Sequence, residues 1–115
     1  MFDFEKLDVY RKAKLVSKDV IVLLRDIKGI DSYIRDQLKR ASISSVINIA
    51  EGSGKFTKPD KRKFYIIARG SIYECVSLLE LIHDDKLIDD ALFDNFYKKH
   101  EELSKMLLGL ISSQS

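Results

Sequence analysis

Apolar residues recur early in the chain at three- and four-residue steps: Leu7, Tyr10, Ala13, Val16, Val20, Leu24 and Ile27. This spacing puts them on one face of a helix of about six turns, ending near Lys28-Gly29, where glycine can take the left-handed cap. Asp31 or Ser32 suits the N-cap of a second helix, which runs to about Gly52. Thr57 opens a third, with Pro59 in its first turn and Asp60 imitating a capping box. Ile72, Val76, Leu79 and Ile82 carry that helix to Asp84-Asp85. Asp89 and Asp90 favour the dipole at the start of a fourth. Its stripe is Leu92, Phe93, Phe96, Leu103, Met106, Leu107, Leu110 and Ile111. No segment alternates with period two for long, which excludes a β fold. Four helices of roughly 20–25 residues, each about 30–35 Å long with short connections, predict an all-α, antiparallel up-down-up-down four-helix bundle.

The second helix carries a different pattern. With Arg40 at 0° and about 100° per residue, Glu51, Ser44, Gln37 and Asn48 fall between about 20° and 80°. These five polar residues form one narrow stripe. The rest of the helix is mostly apolar or small: Leu38, Ser42, Ser45 and Ile49 on one side, Ile43, Val46, Ile47 and Ala50 on another, with Lys39 the main exception. A surface helix needs one apolar face of roughly 100°. The excess implies either a second packing surface, on another subunit, or a helix enclosed in its own bundle. Arg69, Ser71 and Glu74 on the third helix are available to the polar stripe, and a buried polar network of this kind would fix helix register. A structural role is favoured there over catalysis.

Composition agrees with one domain spanning residues 1–115, long enough to bury roughly two thirds of its unfolded surface. A single Pro and five Gly leave long helices uninterrupted. Cys75 is the only cysteine, so no intrachain disulfide or zinc framework forms. MFDFEKLDVY carries acids and lacks the apolar centre of a secretory signal, and no run suits a membrane span. A cytoplasmic location is expected. The net charge of +2 is unevenly placed: residues 1–73 hold 16 Lys/Arg against 9 Asp/Glu, and residues 74–115 hold 4 against 9. The asymmetry runs either end to end or side to side, and permits an anionic partner.

Gly52-Ser53-Gly54-Lys55 resembles a phosphate loop but fails its mechanics. A Walker loop needs Gly-x4-Gly-Lys-Ser/Thr between strand and helix; here Phe56 follows Lys55, Ile49 holds the first Gly position, and a helix precedes. The segment reads as a helix stop and hinge. His83 and His100 fall on different helices without metal-ligand spacing; Glu80 beside His83 gives one Glu-x-x-His where a bundle site needs two. Both histidines are expected to be exposed. Cys75 lacks a basic neighbour and reads as a buried, inert thiol. No catalytic constellation, cofactor or metal site emerges, and no enzyme is expected.

What remains is charge. Lys55, Lys58, Lys61, Arg62 and Lys63 stand against Asp60 within nine residues. With Lys39, they are the candidates for contacting RNA or DNA, repeated around an oligomer. Phe56 and Tyr65 lie close by. The bland alternative is a solvated helix start, although cations there oppose the helix dipole. A protein-interaction scaffold docking through the acidic C-terminal half is the competing function, and a small-molecule or metal site in the bundle core a third.

Gln37-Leu38-Lys39-Arg40-Ala41-Ser42-Ile43-Ser44 and Asn48-Ile49-Ala50-Glu51-Gly52-Ser53-Gly54-Lys55 resemble the signature of the 23S rRNA-intervening-sequence proteins. Ala68-Arg69-Gly70-Ser71, Glu74 and Lys105-Met106-Leu107-Leu110-Ile111 extend the resemblance over essentially the whole chain. It implies a bacterial cytoplasmic four-helix bundle assembling into a ring-like homopentamer, without catalytic residues. The family is in turn distantly similar to the accessory variability proteins of diversity-generating retroelements, which bind nucleic acid and a reverse transcriptase and are more basic than this chain.

Overall fold

The computed structural model describes residues 1–115. A short 3-10 turn, Asp3–Lys6, leads into α1 (Asp8–Asp26), α2 (Ser32–Ser53), α3 (Lys58–Asp84) and α4 (Asp90–Ser112). The caps are those the local chemistry favours. Asp31 accepts from the Tyr33 and Ile34 amides, Thr57 from the Asp60 amide, and Asp89 from the Leu92 amide, so three helix starts have otherwise unpaired N–H groups satisfied. α1 stops at Asp26, before the expected Lys28-Gly29. Gly29 takes its positive φ of 80° in the connection instead, and Ile27 and Ile30 beside it fold back onto the core.

The helices pack as four sides of a rod measuring 45 × 21 × 21 Å. α1 lies between α2 and α4, and α3 meets both α2 and α4, with α2 on α3 the most extensive contact. Val20, Leu38, Ile49, Ile72, Leu79, Ile82, Leu103 and Leu107 fill the interior. Burying such a side chain contributes about 1.5–3 kcal/mol. Two expected core positions shift. On α3 the interior is lined by Ala68, Ile72, Cys75, Leu79 and Ile82, which leaves Val76 half-buried one residue round the helix. At the start of α4, Ile88 and Phe93 close the core, and Leu92 stays exposed.

α2 is apolar on two faces. Leu38, Ala41, Ser42, Ser45 and Ile49 enter the bundle. Ile43 and Ile47 remain on the surface beside half-buried Val46. Together with Ile21 and Val22 of α1 they line an open groove of about 340 Å³, edged by Lys14, Lys18 and Arg25. No helix is long and apolar enough to cross a membrane.

Candidate nucleic-acid interface

The connection from α2 to α3 is built by close approach. α2 runs through Gly52 to Ser53, and Gly54 caps it with an ordinary φ of −86°. Gly52 is therefore not a conformational stop. A Cβ at this position would lie 2.7 Å from the buried Tyr65 ring, so glycine is required by space. Lys61 Nζ donates to the Ser53 carbonyl at 2.7 Å, placing a cation where the α2 dipole is negative. Lys55 Nζ sits 4.7 Å over the Phe64 ring, a cation–π contact.

Lys58, Arg62 and Lys63 stay exposed, and Phe56 projects fully from the turn. The ion pairs of the chain lie elsewhere: Arg11 with Asp8, Lys12 with Glu102, His83 with Asp90, Lys98 with Asp94, and Lys99 with Asp19. The five cations and Asp60 thus lie together, net +4, at the α2–α3 end of the rod with no ion pair among them. Lys39 is separate: fourteen residues before the end of α2, it stands about 21 Å back along the helix.

The polar stripe of α2 divides. Asn48 Nδ2 donates to the Ser44 carbonyl at 2.9 Å and to Ser44 Oγ at 3.0 Å. Ser71 Oγ lies 3.1 Å from Ser44 Oγ and 3.2 Å from the Ile67 carbonyl, so its single proton has two acceptors. These three residues tie α2 to α3. Gln37 is half-buried, while Arg40, Glu51 and Glu74 are exposed. Arg69 turns to α4: its Nε donates to the Ser104 carbonyl at 3.2 Å, and its guanidinium lies 4.9 Å over the Tyr73 ring.

The histidines depart from expectation. His83 is half-buried, stacked on Phe93 with centroids 4.3 Å apart and 2.7 Å from an Asp90 oxygen. His100 is 1% exposed. It takes a core position on α4 because Phe96, His100, Leu103 and Leu107 follow the three- and four-residue steps of the buried face. That spacing was present in the sequence; histidine's polarity masked it. Nδ1 of His100 donates to the Phe96 carbonyl at 2.7 Å. Burial first, then the Lys99 charge, lower its pKa against the opposing backbone hydrogen bond. Cys75 is fully buried, and burial with the Glu74 charge pushes its thiol up to about 12. A thiol so placed is a poor nucleophile.

The family model described as 23S rRNA-intervening sequence protein matches residues 5–109. The chain is also similar to a crystal structure from Bacteroides thetaiotaomicron, a protein of unknown function from the S23 ribosomal protein family. The TM-score is 0.85 at 20% identity, over 90% of this chain and 97% of that one. The comparison with curated proteins gives no match.

Proposed function

The chain belongs to the 23S rRNA-intervening sequence protein family, and from that premise we propose that it is a non-enzymatic, cytoplasmic, self-assembling bundle that binds RNA or DNA, alone or within a ribonucleoprotein. The contact is the basic α2–α3 end, Lys55, Lys58, Lys61, Arg62 and Lys63, with Lys39 farther along α2. The reading rests on one observation: five cations within nine residues form no ion pair with a carboxylate, although Asp60 lies among them. Leaving like charges together is unfavourable for the isolated fold, and a polyanion relieves it by releasing condensed counterions.

The helices are taken as antiparallel. Contacts between Ser53 and Lys61, Ser44 and Ser71, Arg69 and Ser104, and His83 and Asp90 support this, because α2 with α3 and α3 with α4 meet in opposite sequence order. The assembly is taken as a homopentamer, in line with the resemblance; the unpartnered apolar face of α2 supports self-association. A ring would repeat the basic end around one rim and raise avidity for a long polyanion.

Binding to structured RNA or DNA measured by fluorescence anisotropy is expected to weaken linearly in log affinity against log salt. Reversing Lys61, Arg62 and Lys63 to Glu should abolish it. Absence of binding at ~50 mM salt, where phosphate contacts are strong, would overturn the proposal. Nuclease-resistant capture of another protein through the acidic end would then favour an adaptor role.

A further inference from the structure

The outside of α3 carries a pattern that a solvated helix does not need. Every exposed residue from Ile66 to Leu81 is apolar, aromatic or small, apart from Glu74 and Glu80. Ile66, Ile67, Tyr73 and Leu81 are 47%, 43%, 57% and 51% exposed. Gly70 lies among them, and a Cβ there would meet nothing, so the bundle itself does not require the glycine. α4 instead shows Asp94, Lys98, Glu102 and Lys105 to solvent, the charged outer face expected of a surface helix. The chain therefore leaves two apolar surfaces uncovered, a ridge along α3 and the groove between α1 and α2. One is convex and the other concave, the shapes that helix packing joins.

Their charges are opposite. The charged residues lining the groove, Lys14, Lys18 and Arg25, are all cations. Glu74 and Glu80 lie on the ridge and Asp84 at its end. None of these six takes part in an ion pair within the bundle. Pairing groove with groove would set cations against cations, and ridge with ridge carboxylates against carboxylates. Only a ridge in a groove brings unlike charges together. The heights also agree. Lys12 meets Glu102 and Asp19 meets Lys99, while Arg69 meets Ser104 and His83 meets Asp90. α1 and α3 thus both run against α4, with their middles at one level of the rod. At 1.5 Å per residue, Lys14 and Lys18 stand within about one turn of Glu74 in height, and Arg25 within about one turn of Asp84. Copies related by rotation about an axis along the rods keep those heights.

We infer that the outer face of α3 is the surface that fills the α1–α2 groove, so that α3 of each copy of this chain lies in the groove of the next. The inference rests on the proposed self-assembly, whose second face it supplies, and is independent of nucleic-acid binding. Tyr73 and Leu81 are buried against Ile21, Val22 and Ile43, which supplies the attraction; the charges select the face and fix the register. Because the two surfaces differ, the contact is heterologous, and every copy is satisfied only when the series closes into a ring.

The test is sedimentation velocity at micromolar concentration on two variants of the full chain. Glu74→Lys with Leu81→Lys alters the ridge, and Lys18→Glu with Val22→Glu alters the groove, all at exposed positions. Each variant alone is expected to be a monomer of wild-type helical content. Equal amounts mixed should assemble again, because the reversed groove accepts the reversed ridge and the two untouched surfaces still fit. Only a contact between two different faces predicts that recovery. A second readout needs no loss of assembly. Ser77→Cys combined with Val22→Cys should give a ladder of covalent multimers with a short bifunctional thiol reagent, and either substitution alone should give none, since Cys75 is buried. A ridge variant that assembles like the wild type, two monomeric variants that stay apart on mixing, or a doubly substituted chain without a ladder overturns the inference. A monomeric wild type removes the proposed self-assembly together with it. An assembly that forms through this contact and binds neither RNA nor DNA leaves the inference standing while the proposed nucleic-acid binding fails.

Discussion

His100 shows how one residue links stability to the chemistry of the surface. Its imidazole lies among core side chains with one nitrogen paired internally. Burial and Lys99 hold its pKa below the ordinary 6.5. Because the folded value is the lower one, the unfolded chain binds the extra proton first. The neutral form's contribution is complete above about 6.5 and is lost as pH falls from there toward the folded pKa, at up to about 1.4 kcal/mol per pH unit within that window. The charged groups around it are Lys99, Glu101 and Lys105 on its own helix and Arg69 and Glu80 across the groove between α3 and α4. Urea denaturation at pH 7.5 and 5.5 should show a drop in stability that His100→Gln reduces. An equal drop in both proteins would assign the titration to other groups.

Between residues and whole helices, legibility followed locality. Thr57, and Asp31 as one of two candidates, were readable as caps because each bonds amides two or three residues away; Asp89, read as a first-turn acid, is instead the N-cap of α4. The apolar faces were readable as far as the 3.6-residue phase could be carried, and failed at Val76, where Cys75 takes the inward position, at Leu92, and at His100, whose own polarity hid its place in the core. Of the α2 stripe, the part that bonds across to α3 is short-chained, Ser44 and Asn48 with Ser71. The longer side chains reach solvent, or α4 in the case of Arg69, and spacing on one helix contains no information about which neighbour a long side chain meets. Gly52 was the least readable position. Its helical neighbourhood and the following Gly54 suggested a stop, whereas the constraint comes from Tyr65, thirteen residues later. Alanine there gains up to about 1 kcal/mol of helix propensity but puts a methyl group against Cε1 and Cδ1 of the ring and the Phe64 Cβ. Overpacking of this kind costs about 1–3 kcal/mol. Chemical denaturation of Gly52→Ala should therefore show a net loss, and unchanged or raised stability would mean that α2 and α3 separate readily at this end.

At the scale of the whole molecule the basic and acidic turns that flank α3 stand at its opposite ends. The basic turn between α2 and α3 and the acidic turn formed by Asp84, Asp85, Asp89 and Asp90 are separated by the 27 residues of α3, about 40 Å at 1.5 Å per residue. Rods packed side by side in a closed ring share one polarity, which gathers their basic ends and makes them repel. The proposed assembly then needs an attraction that salt does not screen, and the α1–α2 groove offers one: Ile43 and Ile47 stand at 37% and 48% exposure beside Ile21 and Val22. Screening should act oppositely on the two functions, weakening nucleic-acid binding while relieving repulsion between subunits. Sedimentation at micromolar concentration is expected to show an oligomer that persists from 0.05 to 0.5 M salt, conditions spanning Debye lengths of roughly 14 to 4 Å. Ile43→Asp with Ile47→Lys should yield a monomer of unchanged helical content, since neither side chain enters the core. A wild-type monomer would remove the ring and its multivalent rim together. An oligomer that survives both substitutions would place the interface on another face and leave the α1–α2 groove without a role in assembly.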